Sequence, residues 1–168
     1  MYLFFDTETN GLPKNYNGSP MDLDNWPRII QLAYALYNDA GELIHEHKTL
    51  IKPDGWEIPK EDFWIQHGYS TEKSLAEGVP IHDALSAFVA QINRCSRMVA
   101  HNLDFDYPVV ASEMIRAGVM AVISPRSSAS TARGMRRTST PTRKQRIRPR
   151  VIKLLCGVRC VRFGYDKI

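Results

Sequence analysis

The 168-residue chain has no apolar run as long as a membrane span. A bilayer-spanning helix needs about 20 consecutive apolar residues, which argues against an integral membrane protein. The chain contains only 3 cysteines, too few for the disulfide framework typical of small secreted domains. Residues 1–5 are apolar but too short for the core of a signal peptide. We therefore expect a cytoplasmic protein with no membrane partner.

Acidic residues nearly disappear from the C-terminal part of the chain. Residues 1–120 carry 17 acidic and 9 basic side chains, whereas residues 121–168 carry 13 basic side chains and a single acid, Asp166. No histidine follows His101. The net charge of +4 thus averages two parts of opposite charge. We expect an ordered domain over residues 1–120 and a basic segment rich in Ser, Pro and Arg over residues 121–168.

The pattern in residues 1–120 alternates between strands and helices. Four segments have the apolar pattern of strands, namely 2–5, 28–37, 42–51 and 97–100. The second and third are joined by a short turn, which predicts an antiparallel hairpin. Helical spacing predicts one helix over residues 81–93, and a second helix from near Asp106 to Gly118. This order predicts an α/β fold, a mixed β-sheet flanked by helices, followed by an atypical C-terminal segment.

Two groups of acidic residues follow predicted strands. Asp6 and Glu8 are two positions apart, so their side chains can lie on one face of a strand. Two carboxylates this close repel each other unless a cation lies between them, and hard divalent ions prefer oxygen ligands. Residues 101–106 form a second acidic group. Adjacent parallel strands would bring both groups together as a two-metal phosphodiester site, whereas the alternative for Asp6 and Glu8 alone is a solvated strand end.

The residues around these acids resemble a known family. Residues 4–13, FFDTETNGLP, closely resemble the first motif of the DEDD 3′–5′ exonucleases, the DnaQ-like family. Residues 101–106, HNLDFD, are similar to its second motif, H-N-x-x-F-D, and residues 67–70, HGYS, are similar to its H-G-I-[ST] segment. The family includes the epsilon subunit of bacterial DNA polymerase III and ribonuclease T. The resemblance covers residues 1–118 and favours the histidine branch, DEDDh.

The resemblance implies a ribonuclease H-like fold and a metal-dependent exonuclease. The implied reaction is hydrolysis of 3′-terminal phosphodiester bonds of DNA or RNA. Asp6, Glu8 and Asp106 match the family's metal-binding carboxylates, which implies that they are catalytic and bind two divalent cations, Mg²⁺ or Mn²⁺. Single-stranded DNA or RNA 3′ ends are the implied substrates, and a DNA polymerase is a candidate partner.

The resemblance also implies a set of residues that hold the terminal nucleotide. These are Thr7, Thr9, Leu12, His67, His101 and Asn102. Leu12 would act as an apolar wedge, and His67 would lie near the substrate, its alternative being an ordinary loop histidine. We expect His101 to hydrogen-bond the backbone rather than act as a base. Asp104 occupies a variable position of the second motif, and we expect it to face solvent or support the metal ligands indirectly.

The family's third motif, H-x-x-x-x-D or Y-x-x-x-D, is missing. Val161 and Arg162 stand where the histidine or tyrosine would precede Asp166. The general base is therefore unknown, and because such a base contributes typically ~10²–10⁴-fold in rate, we expect severely reduced or absent activity. The alternative function is a catalytically inactive nucleic-acid-binding module with an arginine-rich arm.

Residues 121–168 have two explanations. A basic arm could neutralise phosphates and bind nucleic acid without sequence preference. A shifted reading frame could instead have replaced the family's fifth strand and closing helix, and residues 119–168 would then pack poorly. The ten arginines against three lysines after residue 120 favour the shifted frame. Residues 151–156 suit either a strand or a helix.

Overall fold

The computed structural model describes residues 1–119 and 130–131. These residues form five strands: β1 (Tyr2–Thr9), β2 (Ile29–Tyr37), β3 (Leu43–Leu50), β4 (Arg97–Ala100) and β5 (Ser130–Thr131). They also form four helices: α1 (Asp62–Gln66), α2 (Thr71–Glu77), α3 (Ile81–Ile92) and α4 (Leu103–Ala117). The sheet order is β3-β2-β1-β4-β5, with β1 antiparallel to β2 and parallel to β4. The predicted α/β class, the mixed sheet and the β2–β3 hairpin are confirmed.

The main core lies between one face of the sheet and helices α3 and α4. Phe88 of α3 lies 5.5 Å from Phe5 of β1 and 5.1 Å from Tyr34 of β2, measured between ring centroids. Val109 and Met114 of α4 belong to the same buried cluster. Each such side chain contributes roughly 1.5–3 kcal/mol when it is fully buried. The predicted apolar faces of both helices therefore cover the sheet as expected.

The opposite face of the sheet positions the acidic residues. Phe4, Ala33, Ala35 and Val99 form a second, smaller buried cluster there. Strand side chains alternate between faces, so the face that carries Phe4 continues along β1 to Asp6 and Glu8.

Two predicted boundaries were wrong. Strand β1 does not end at residue 5 but runs to Thr9, because its backbone stays paired with β2 from Asp6 opposite Ala33 onward. Helix α4 does not begin near Asp106 but at Leu103. Its first turn forms because the carbonyl of Asn102 accepts hydrogen bonds from the backbone N–H groups of residues 105 and 106, each at 2.9 Å.

Helices α1 and α2 are not among the predicted elements. Helix α1 has 5 residues and buries none of them, so it leaves no apolar periodicity in the sequence. It is attached to β1 by Trp64, whose indole N–H donates to the carbonyl of Thr9 at 3.0 Å. Helix α2 is capped by Ser70, the residue before its first turn, whose hydroxyl accepts the N–H of Lys73 at 3.1 Å. Helix α1 therefore lies beside the end of β1.

A buried ion-pair network attaches the predicted loop 14–27 to α4. Glu113 is 1% exposed, and its Oε1 accepts from Arg28 Nε at 2.6 Å and from Arg116 Nη1 at 2.8 Å. The guanidinium of Arg116 also donates to the backbone carbonyl of Trp26 at 2.7 Å, and to that of Leu23. A buried carboxylate needs such pairing to offset its lost hydration. The network therefore holds the loop that follows the first motif.

Several predictions fall outside the described residues. They are the basic character and reading frame of residues 121–168, the strand or helix at 151–156, and the departure from the third motif at Asp166. Of residues 121–168, the structure describes only Ser130 and Thr131, which form strand β5. This strand pairs in parallel with the end of β4. In the described part of the chain, no helix is long and apolar enough to cross a membrane.

Candidate active site

The sheet and α4 bring the two motif segments together. β4 pairs with β1 only as far as Val99 opposite Phe4, so β1 extends beyond the end of β4. The first turn of α4 lies beside this extension. Thr7 there donates to Asp106 with its backbone N–H at 3.1 Å and with its hydroxyl at 2.8 Å, and both bonds end on Oδ1. Thr7 of the first motif and Asp106 of the second, 99 residues apart in sequence, are thus in contact.

The carboxyl groups of Glu8 and Asp106 have strongly raised pKa values. Burial raises the pKa of Asp106 to about 8, the negative charge of Asp6 adds to this, and the bonds from Thr7 oppose it. Burial likewise raises the pKa of Glu8 to about 7, again with a contribution from Asp6, while the positive charges of His67 and Lys48 oppose it. The negative charge of Asp6 therefore adds to the rise in both pKa values, for which burial is the larger cause.

The donor chemistry of the site fits a hard divalent cation. Asp6, Glu8 and Asp106 provide carboxylate oxygens, which Mg²⁺ and Mn²⁺ prefer. Burial and the charge of Asp6 raise the pKa values of Glu8 and Asp106, and a bound cation would favour their charged forms. Within residues 1–119 and 130–131, however, no group of three or more His, Cys, Asp or Glu side chains is arranged to hold a metal ion. The residue types fit the ion, but their spacing is not preformed.

His67 lies beside the acidic site, as expected. It follows α1, where its Nδ1 lies 2.6 Å from the carbonyl oxygen of Phe63. A carbonyl can only accept, so in the neutral ring the proton is on Nδ1, and Nε2 is the acceptor. The charge of His67 reaches Glu8, since it opposes the rise in that pKa. The role of His67 as a site residue stays a prediction, with an ordinary loop histidine as its alternative.

The other residues expected to bind substrate differ in their exposure and in the hydrogen bonds that they already make. Leu12 is 64% exposed, which suits a wedge. Both donors of Thr7 are used by Asp106, and the hydroxyl of Thr9 donates to the carbonyl of Gly11 at 2.7 Å.

Three residues of the second motif, His101, Asn102 and Asp104, differ in their exposure and hydrogen bonds. Asn102 is exposed and its side chain does not cap α4. The expected backbone bond from the His101 ring is not found among the described residues. Asp104 is exposed, as expected for a variable position. The substrate-binding roles stay predictions.

The sequence analysis predicted no role for two polar residues that lie beside the carboxylates. Gln31 on β2 lies opposite Glu8, and Lys48 on β3 lies opposite Ala33, which in turn lies opposite Asp6. Directly opposed residues of antiparallel strands share a face, so both lie on the carboxylate face. The sequence feature that could have indicated this position is Gln31 itself, an amide side chain within the apolar run of β2.

Comparisons with known proteins support the fold. No family model and no curated protein matches the chain. Solved structures do match, and the chain has the ribonuclease H-like exonuclease fold. E. coli exonuclease I in complex with a dT13 oligonucleotide has a TM-score of 0.60 at 16% identity, over 77% of this chain and 27% of that one. A product-bound exonuclease I structure has a TM-score of 0.61 at 17% identity, over 77% and 29%.

A third similar structure is the metal-free form of the E. coli exonuclease I complex with single-stranded DNA. Its TM-score is 0.61 at 18% identity, over 77% of this chain and 27% of that chain. The present chain thus spans less than a third of the length of these exonuclease I chains. The identities are low, so the likeness concerns the fold, and the activity has to be argued from the residues of the site.

Proposed function

We propose that this chain carries a metal-dependent 3′–5′ exonuclease domain of the DnaQ-like DEDD family, within residues 1–120, acting on single-stranded DNA or RNA. The observation that carries the proposal is the pair of hydrogen bonds from Thr7 to Asp106. These bonds join the first motif to the second, within a fold that is similar to that of exonuclease I. Structures of exonuclease I with a dT13 oligonucleotide and with single-stranded DNA add support for the substrate class.

Asp6, Glu8 and Asp106 would hold two divalent cations, Mg²⁺ or Mn²⁺. When bound, such ions supply an activated water and stabilisation of the leaving oxygen. The chain's own contribution is to hold the ligands: Thr7 fixes Oδ1 of Asp106, and burial keeps the carboxyls of Glu8 and Asp106 poorly hydrated. His67 is held by the hydrogen bond between its Nδ1 and the carbonyl oxygen of Phe63.

Activity is expected to be low because the third motif is absent. No histidine follows residue 101, so the proton of the attacking water lacks its usual acceptor. This observation favours a second candidate, a nucleic-acid-binding module without turnover. Association with a DNA polymerase stays a prediction.

The test is degradation of a 5′-labelled single-stranded DNA oligonucleotide with Mg²⁺ or Mn²⁺. We expect slow shortening from the 3′ end, abolished in Asp6→Ala and retained in Asp104→Ala, the matched control on the exposed neighbour. Equal shortening in Asp6→Ala would place the hydrolysis elsewhere. Binding without any shortening would select the second candidate.

A further inference from the structure

Two histidines of β3 stand side by side at the edge of the described sheet. His45 and His47 are two positions apart, so their side chains lie on the same face of the strand. Their ring centroids are 6.5 Å apart, and the ring planes are 16° from parallel. β3 is the outermost strand on its side of the described sheet, and the His47 side chain is exposed while that of His45 is half-buried. A dissolved ion can therefore reach both imidazoles.

A buried tyrosine packs against both imidazole rings. Tyr34 of β2 is 1% exposed and lies opposite His47 in the β2–β3 ladder. Its ring centroid is 5.4 Å from that of His47 and 5.8 Å from that of His45. Phe88 of α3 packs against Tyr34 in turn, at 5.1 Å between centroids. Binding sites are most precise when packing on a rigid element restricts their side chains, and the main core provides that support here.

Each imidazole has a nitrogen available to a ligand. Within the part of the chain that the structure describes, neither ring takes part in a hydrogen bond. A neutral imidazole has one acceptor nitrogen, whose lone pair can bind a metal ion. Burial raises the pKa of the Tyr34 phenol, so the phenol stays protonated and is not a third ligand. Since residues 1–119 and 130–131 contain no group of three or more His, Cys, Asp or Glu side chains arranged for a metal, water would complete the coordination shell.

The spacing of the two rings suits one transition-metal ion. Imidazole nitrogens bind Zn²⁺ at roughly 2.0–2.1 Å, and imidazole also suits Ni²⁺ and Cu²⁺. Two rings on one tetrahedral ion would then have centroids roughly 5 Å apart. The observed 6.5 Å falls to this value if the rings approach by roughly 1–1.5 Å, a movement that the exposed side chain of His47 allows. Mg²⁺ prefers oxygen ligands instead, so the pair differs in chemistry from Asp6, Glu8 and Asp106.

We propose that His45 and His47 together bind one divalent transition-metal cation of the class of Zn²⁺, Ni²⁺ and Cu²⁺. The inference does not depend on the proposed function, because the pair lies on β3, two strands away from β1, and uses nitrogen ligands. An ion held by one imidazole meets the other at a high effective concentration, since a single residue of a paired strand separates them. Both rings are therefore needed for the affinity.

The test is a calorimetric titration of the full chain with Ni²⁺ near neutral pH, where histidines are mostly uncharged. Excess Mg²⁺ would occupy the carboxylates at the end of β1. We expect one Ni²⁺ to bind the pair, and His45→Asn and His47→Asn should each weaken this binding roughly 10²-fold, the usual gain from linking two ligands. His82→Asn, which removes an exposed histidine of α3, should bind as the wild type does.

A second measurement identifies the ligands directly and does not require a variant to fold. Paramagnetic Ni²⁺ should broaden the imidazole NMR signals of His45 and His47 in the wild type before it broadens that of His82. Equal broadening of all histidine signals would overturn the inference. So would a folded His45→Asn or His47→Asn chain that binds Ni²⁺ as tightly as the wild type, because the two rings would then not act together.

Discussion

The buried carboxyls should make the metal-free chain more stable as the pH falls. Glu8 has a pKa of about 7 in the folded chain against 4.5 as its ordinary value. The folded state thus binds this proton more tightly than the unfolded state does. The free energy of unfolding should therefore rise between pH 8 and about pH 4.5, and Asp106, with its pKa of about 8, acts in the same direction.

The size of the effect follows from the Glu8 values. Between pH 8 and pH 5.5, a carboxyl whose pKa moves from 4.5 to about 7 contributes about 2 kcal/mol. For a domain of this size that corresponds to roughly 8 °C in Tm. The cause is the burial of Glu8 next to the charge of Asp6, so removing the carboxylate should remove the contribution.

Thermal unfolding in EDTA across this pH range is the assay. Glu8→Gln should lose about 2 kcal/mol of the wild-type gain, while Asp104→Asn, an exposed carboxylate in α4, should keep all of it. If the Glu8→Gln chain gained as much stability as the wild type, the carboxyl of Glu8 would not be buried beside Asp6, and the reasoning from its pKa would fail.

Two further predictions concern the supports of the site. Thr7→Val removes the hydroxyl bond to buried Asp106 and should lower the free energy of unfolding by about 1–2 kcal/mol in urea titrations. Arg116→Met leaves buried Glu113 with Arg28 as its remaining described partner and should cost about 3 kcal/mol, measured in the same way.

Each of these variants has a matched control. Thr7→Ser keeps the hydroxyl and should recover most of the loss; a Thr7→Val chain as stable as the wild type would show that the bond to Asp106 contributes nothing. Arg94→Met replaces an arginine on the exposed surface and should change stability by less than about 0.5 kcal/mol. Equal losses in the two arginine variants would argue against the buried network.

Most of the sheet and its two long helices could be predicted, because their patterns are local. The apolar runs of β2 and β4 and the spacing of Leu85, Phe88 and Ile92 report burial within a few residues of sequence. Helix α1 could not be predicted, because it is only 5 residues long and none of them is fully buried. It is held by the bond from Trp64 to β1, which no local pattern records.

For the site, the sequence by itself determined that Asp6 and Glu8 share a face, because a strand has a period of two, and that Asp106 lies close to the start of a helix. The tertiary structure decided how deeply these residues are buried and which groups they contact. The β1–β4 register and the first turn of α4 place Asp106 on Thr7, and burial then raises its pKa. The β1–β2 register alone places Gln31 opposite Glu8. Strand register and depth of burial depend on contacts between segments that are far apart in the chain. They are therefore set only when the sheet is assembled.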